Sequence, residues 1–479
     1  MKLKKNYLQY FILFIACLLI YLPGISSKMY ADDFEWVVDN PASNLFFHFF
    51  NNDPNINWYR PLACSVYAVS QALFGFNTVF VHLLQITTHF VLCAAVYNAM
   101  EMLGISKKAA IFSVLFLLSS QVGAAAINGN DTLSQVFSSC FGFLGVLYVY
   151  KYTETGSSRF YIAGIITFLF ALFSKESSVV YPAIGVCILG YHYYIKEGKR
   201  DIKNFIIRSI PFVIITGFYL SMRISISQIQ PEFGDDIYQF KLGLNIIKNL
   251  GLFVFSLICP VSSAAVFTAF VKRELAILLL TAFFTLVFAV IIFKGLFSRG
   301  DKKNVIIFSA LTIITFFPMA MLNKVSELYA YNALPFLAIL VGIGFERFYS
   351  AITSKTLKYA AAVFAGVIFL ANVYAIESKI SQMKANGERA EYLISQTLPF
   401  VSKVPSGGNL ILLNSPSKEV EYSIYKMNGF NIFHAGEMIF NKLTKRSDIK
   451  ITVADSIDEN LPKGKTIVLV IRNNKVEQL

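Results

Sequence analysis

The sequence predicts an α-helical polytopic membrane protein of about eleven transmembrane helices that carries a small C-terminal α/β domain. Three observations predict this fold class. Hydrophobic residues make up 56% of the 479-residue chain and charged residues only 15%, against roughly 45–50% and about 25% in an ordinary soluble domain. Eleven apolar runs recur along residues 1–376, and at about 20 residues per crossing they use less than half the chain. Beyond 376 the apolar runs shorten to strand length.

The first run, 7 to 25, follows Lys2, Lys4 and Lys5. It exceeds the 7–15-residue apolar core of a signal peptide, so it is read as a retained helix. A long loop, 26 to 77, separates it from further runs at about 78–100, 109–123, 133–150, 160–173, 178–195, 204–222, 275–297, 304–321, 333–349 and 357–376. With the N-terminus inside, the short cytoplasmic loops hold 19 Lys and Arg and the longer outer loops 9, the bias that fixes orientation. The stretch 243 to 270 is apolar but too short for two crossings, and is read as a re-entrant or interfacial helical pair broken at Cys259-Pro260. Residues 377–479 then form a connecting helix and an extracytoplasmic α/β domain. Its strands are Leu410 to Leu413, Ile449 to Val453 and Thr466 to Ile471, its turns Ser406-Gly407-Gly408 and Pro462-Lys463-Gly464, with a helix near Lys418 to Met427.

Composition excludes several chemistries. The six cysteines stand singly, five of them in apolar runs and none beside a His, which argues against disulfide, zinc and redox frameworks. The net charge of +13 is scattered between apolar segments, whereas nucleic-acid binding needs basic residues clustered on one soluble face.

Titratable residues gather instead at the predicted outer ends of the helices. The first outer loop carries Tyr30-Ala31-Asp32-Asp33-Phe34-Glu35-Trp36, and two adjacent carboxylates can divide acid and base work because each raises the proton affinity of the other. A solvated acidic loop is the plainer alternative. Asn57-Trp58-Tyr59-Arg60-Pro61-Leu62 follows, then an amphipathic helix from 63 to 74 suited to the membrane surface. Arg60 is either a bidentate phosphate clamp or an interfacial anchor. His82 and His89, seven apart, read first as helix contacts, with His82 kept as a substrate candidate. The second outer loop holds Asn130 and Asp131 and the third Lys175 and Glu176. Charges squeezed between helix ends either pair with each other or meet an anionic ligand. Arg223, Lys324, Glu327 and Tyr329 complete the same rim.

These motifs carry a resemblance. An outer D-D-F with Asn40-Pro41 shortly after, then Tyr59-Arg60-Pro61-Leu62, then Phe74-Gly75-Phe76-Asn77 leading into His82 and His89, then Phe173-Ser174-Lys175-Glu176 ahead of Pro182, resembles the polytopic C-type glycosyltransferases. The likeness is nearest to the protein O-mannosyltransferase branch and covers about residues 30–185, with the Pro318 to Pro335 stretch beyond. Two features depart from the pattern: no tetratricopeptide repeats follow, and the second outer loop lacks an arginine beside its acidic residue.

The resemblance implies an inverting transfer of a sugar from a polyprenyl-phosphate carrier to an acceptor hydroxyl of a protein or glycan, at the outer face of a bacterial inner membrane. Asp32 matches the family's catalytic carboxylate, and Asp33 would orient acceptor or sugar. Arg60, Lys175 and Arg223 would meet the phosphate charge. Tyr59, His82, Asn130, Asp131, Glu176, Lys324 and Tyr329 would line the substrate. No cofactor and no divalent metal are expected, since positioned cations suffice for a phosphate leaving group. An amino-sugar transferase acting on lipid or polysaccharide, and a non-enzymatic transporter of lipid-linked sugar, are the competing readings.

Overall fold

The structure is a computed structural model and describes residues 7–37, 41–43, 45–51, 58–196, 201–227, 239–298, 302–414, 427, 429–433, 438–456, 464–472 and 475–479. Lys2, Lys4, Lys5, Asn40, Asn57, the helix expected over 418–426 and the Pro462-Lys463 turn lie outside them.

Each of the eleven apolar runs forms a helix. In chain order these and the intervening helices are α1 (Tyr7–Tyr21), α2 (Pro61–Phe74), α3 (Val79–Met102), α4 (Lys107–Ser119), α5 (Gly123–Asn128), α6 (Leu133–Thr155), α7 (Ser158–Ser174), α8 (Val180–Gly190), α9 (Ile202–Ile226), α10 (Leu244–Ile258), α11 (Ser263–Val271), α12 (Leu275–Phe297), α13 (Lys303–Ala320), α14 (Glu327–Ala330), α15 (Leu334–Ala351), α16 (Lys355–Val401) and α17 (Met438–Thr444). Among the described residues seven of them, α3, α6, α9, α12, α13, α15 and α16, are long and apolar enough to cross a membrane. The other predicted spans, α1, α4, α7 and α8, have 11 to 17 residues, so the number of crossings stays at seven or more.

Burial divides the helices into core and periphery. Every residue from Leu334 to Gly344 of α15 is buried, as expected of a helix apolar on all sides. Its neighbours approach at glycines: a Cβ on Gly342 would strike Ser113 and the Ala109 carbonyl of α4, and one on Gly295 of α12 would strike the backbone of Gly344. Small residues let helix backbones touch where lipid offers no hydrophobic drive for association. The outward side of α12 leaves Leu275, Ile277, Leu279, Leu280, Phe283 and Leu286 exposed, a surface too large and too apolar for water. The chain is an integral membrane protein.

The 243–270 stretch breaks where expected. α10 and α11 meet at a bend of 107°, because Pro260 has no N–H to give to the Ser256 carbonyl. The Gln121 amide of the α4–α5 connection donates to that carbonyl instead, at 2.9 Å. Asn249 of α10 donates to the carbonyls of Ala320 and Leu322 at 2.9 and 2.7 Å, closing the end of α13.

The last apolar run does not stop at 376. α16 continues to Val401 as one helix of 47 residues, about 70 Å at 1.5 Å per residue. Its distal half is polar on average, yet Ile376, Ile380, Met383, Gly387, Ala390, Leu393, Thr397 and Val401 recur at three- and four-residue spacing and are buried. This stripe carries the helix into the C-terminal domain. There β1 (Asn409–Leu413) pairs in parallel with β2 (Lys450–Ala454) and β3 (Thr466–Arg472), and β3 pairs antiparallel with β4 (Lys475–Gln478), giving the order β2-β1-β3-β4. The three expected strands are present. The edge strand β4 and helix α17 were not anticipated, since Lys475–Gln478 carries only one apolar residue.

Candidate functional site

The adjacent carboxylates lie on a 3-10 turn, Ala31–Trp36, between α1 and α2. Ala31 enters it at φ 50°, in the left-handed region that disfavours a residue with a Cβ. The turn sends the two side chains to different environments. Asp33 is buried, its Oδ2 accepting from the Tyr30 backbone N–H at 2.9 Å and from the Asn130 amide at 2.8 Å. Burial, then the charge of Asp131, pushes its carboxyl well above the usual range. Asp32 is partly exposed, and among the described residues its carboxylate accepts no hydrogen bond.

The second loop is shaped to reach this turn. Gln85 of α3 donates to the Gly129 carbonyl at 2.7 Å, Tyr67 of α2 donates to the Asn130 carbonyl, and Asn130 donates to both Asp33 and the Lys28 carbonyl. Asp131 is thereby held beside Asp32. Its carboxyl is raised to about 6 by burial and by the Asp32 charge, against the pull of Lys175 and Arg60. Glu35, raised to about 7 by burial and then by Asp32 and Asp131, joins the same field.

The cations come from the other side. Arg60 donates from Nε and Nη2 to the two carboxylate oxygens of Glu176, each at 2.9 Å, with its guanidinium 4.9 Å from the Trp58 ring centre and 5.8 Å from that of Trp36. The fork expected to be open to a phosphate is therefore occupied. Burial alone would raise the Glu176 carboxyl, but Arg60 and then Lys175 hold it far below the ordinary range. Lys175 itself is 3% exposed, and its ammonium lies 5.4 Å from the Tyr329 ring centre. Among the described residues this ammonium makes no ion pair and no hydrogen bond. Burial, then Arg60, lowers it to about 7. A cation left unpaired in a buried place is costly unless a ligand completes it.

The remaining predicted residues divide. Arg223, partly exposed at the end of α9, acts on Glu176 and Tyr219 and so belongs to the cluster, as does Tyr329. Tyr59 is a packing residue, its ring 5.7 Å from that of Tyr219 and its hydroxyl on the Phe49 carbonyl at 3.2 Å. His82 is fully buried between Gln85 Oε1 and the Ser27 carbonyl, which makes it a helix contact and removes it from the substrate surface. Lys324 is partly buried between α13 and α14, next to the backbone bridge of Phe240 with Leu322. Three residues of the neighbourhood were not singled out from sequence: Glu35, Gln85 and Asn332. Asn332 accepts from Gln135 at 2.7 Å and donates to Ser177 at 3.1 Å, bracing the loop that carries Lys175. Only Glu35 had a signal, its place beside the D-D pair. Among the described residues no group of three His, Cys, Asp or Glu side chains is placed to hold a metal ion.

Among solved structures the chain is similar to ArnT from Cupriavidus metallidurans in the apo state, with a TM-score of 0.52 at 12% identity over 98% of this chain and 98% of that one. It is equally similar to the same protein bound to undecaprenyl phosphate, with a TM-score of 0.52 at 12% identity over 98% and 97% of the two chains. At this identity the likeness establishes the fold, and it does so over the full length of both chains. No family profile and no curated protein matches the sequence.

Proposed function

We propose that the protein is an inverting glycosyltransferase that moves a sugar from a polyprenyl-phosphate carrier to an acceptor hydroxyl. The observation that carries this reading is the placement of a carboxylate free of hydrogen bonds, Asp32, in one charged cluster with a buried unpaired ammonium, Lys175. Two findings support it: the motif resemblance over residues 30–185, and a fold shared end to end with a protein that binds undecaprenyl phosphate. In this mechanism Asp32 takes the proton of the acceptor hydroxyl while its oxygen attacks C1 of the sugar. The bond from C1 to the phosphate oxygen breaks on the opposite face, and the electron pair leaves with the lipid phosphate. Lys175 meets the growing charge, a form of electrostatic stabilisation that is strongest where water is excluded. Arg60, neutralised by Glu176, shapes the site instead of binding the phosphate directly. Asp131 and Asp33 hold the polar side of the acceptor pocket.

The test is transfer by purified full-length protein from synthetic short-chain polyprenyl-phosphate sugars to a mixed acceptor pool, with and without chelator. Product and released polyprenyl phosphate are expected in both conditions, with mannose the first sugar to try. Donor binding without transfer by any sugar would instead mark a transporter. A second reading is favoured by the acidic field that Asp32, Glu35 and Asp131 share, where burial and then the Asp32 charge raise the carboxyls of Glu35 and Asp131. A sugar bearing an amine would be drawn to that field, and a donor series with and without the amine separates the two.

The role of Lys175 has a pH signature. Its ammonium is present below about pH 7 and lost above it, while a phosphodiester keeps its charge throughout. Donor KM should therefore rise as pH goes from 6 to 9, approaching a tenfold change per unit. Lys175→Met should give a high KM that no longer varies with pH. A donor KM indifferent to both pH and this substitution would remove Lys175 from the phosphate.

The Lys and Arg distribution supports an orientation in which this end of the bundle faces away from the cytoplasm. A reporter that is active only in the cytoplasm, fused after Leu479, is expected to stay silent; activity there would mean that 243–270 crosses the membrane once.

A further inference from the structure

The Asp32 turn is a single short 3-10 segment of six residues. Asp33 N–H bonds the Tyr30 carbonyl at 3.1 Å at its start and Val37 N–H the Phe34 carbonyl at 3.2 Å at its end, the Asp33 carboxylate accepts from the Tyr30 N–H, and the segment is entered through the unfavourable φ of Ala31. A strained conformation persists only where its surroundings over-determine it. On one side the surroundings are Asn130 and the helix bundle. On the other they come chiefly from the distal half of α16 and the C-terminal domain, joined by Ala125 of α5 and Leu328 of α14.

That second side is closely fitted. Tyr30, Ala31, Phe34 and Val37 are buried in one apolar cluster with Leu393, Phe430, Phe433 and Phe440, and the rings of Phe34 and Phe433 lie 6.3 Å apart. Lys442 of α17 donates its ammonium to the Val37 carbonyl. The Tyr30 hydroxyl meets the Asn386 side chain. One position along, a Cβ on Gly387 would fall 2.5 Å from the Lys28 carbonyl oxygen and 2.8 Å from its nitrogen. Only glycine lets α16 lie against the chain there. Lys28 in turn pairs with Glu391.

We infer that the C-terminal domain is a positioning part of the catalytic site, a clamp that sets the Asp32 turn from behind, with Gly387 and Lys442 as positioning residues. The inference rests on the reading of Asp32 as the base. Its physical warrant is that a misplacement of about 1 Å in a catalytic group can cost a hundredfold in rate: Trp36 at the end of the turn packs on Tyr67 of α2, with ring centres 5.0 Å apart, whereas Tyr30, Ala31, Phe34 and Val37 rest on α16 and the C-terminal domain.

The test uses full-length protein carrying Lys442→Met, which keeps the side-chain stem but loses the donor, and separately Gly387→Ala. Amide hydrogen exchange is measured over 31–37 and over α3, α6 and α15, since local opening is read directly by exchange. Exchange over 31–37 should rise at least about tenfold with the three helices unchanged, and turnover should fall about 10–100-fold with donor KM within about twofold. Lys442→Arg should restore both. Unchanged exchange at 31–37 in both variants, or a rise shared by the whole chain, would overturn the clamp. Local loosening with normal transfer would overturn its catalytic role; if Asp32→Asn also transfers normally, the fault lies in the reading of Asp32 and not in the contact.

Discussion

Asp32→Asn is expected to lower turnover by 10²–10⁴, the range typical of a lost general base, while the protein inserts and folds as before. The amide preserves size but cannot accept the proton of the acceptor hydroxyl. Asp33→Asn is expected to do much less to turnover, and the structure gives the reason. Burial and Asp131 work against the charge of the Asp33 carboxyl, so its loss is the smaller change, and in the amide one oxygen remains to accept from Tyr30 N–H or Asn130. The measurement is single-turnover transfer with donor saturating. Near-normal transfer by Asp32→Asn would sink the mechanism, and a larger loss at Asp33 would exchange the two roles.

Lys379→Met is expected to cost about 3–5 kcal/mol of stability, the penalty for leaving one member of a buried ion pair without the other. Lys379 of α16 bonds Glu327 at 2.6 Å, with side chains 5% and 8% exposed. Its ammonium also bonds the Gln121 carbonyl at 3.0 Å, and Glu327 accepts from the Ser263 backbone N–H at the start of α11. Burial works against the charged form of Glu327, and Lys379 is the first of the groups that overcome it and lower its carboxyl. One knot thus ties α16, the α4–α5 connection, the α10–α11 bend and α14. The double variant Glu327→Leu/Lys379→Met should recover most of the loss, because two apolar groups leave no charge behind. Denaturant unfolding in detergent measures both; a loss under about 1 kcal/mol for the single variant would mean that water reaches the pair.

Several features of the protein were legible in its sequence because they are local. Apolar runs mark helices wherever they occur, so eleven were found at their places, and Pro260 breaks the 243–270 stretch for want of one N–H. Strand-length runs marked β1, β2 and β3, but β4 is a strand only because β3 offers it an edge. The adjacent carboxylates were visible as a pair. Which of them is tied down was not, since that depends on Asn130, 97 residues away along the chain.

The ion pairs were likewise out of reach of the sequence. Arg60 reads from the sequence as either a phosphate clamp or an interfacial anchor, whereas Glu176, 116 residues on, fills its fork, and no periodicity links two such positions. The continuation of α16 had a signal in the buried stripe from Ile376 to Val401, masked by polar residues on the other sides of the helix. Composition and periodicity determined that this chain enters a membrane and carries a domain beyond it. The tertiary structure alone decided that Lys175 stays unpaired, that Asp32 is left open and Asp33 closed, and that the domain presses on the turn bearing both. Charges and hydrogen bonds are satisfied by whatever the fold brings near, and that depends on packing between segments far apart in sequence.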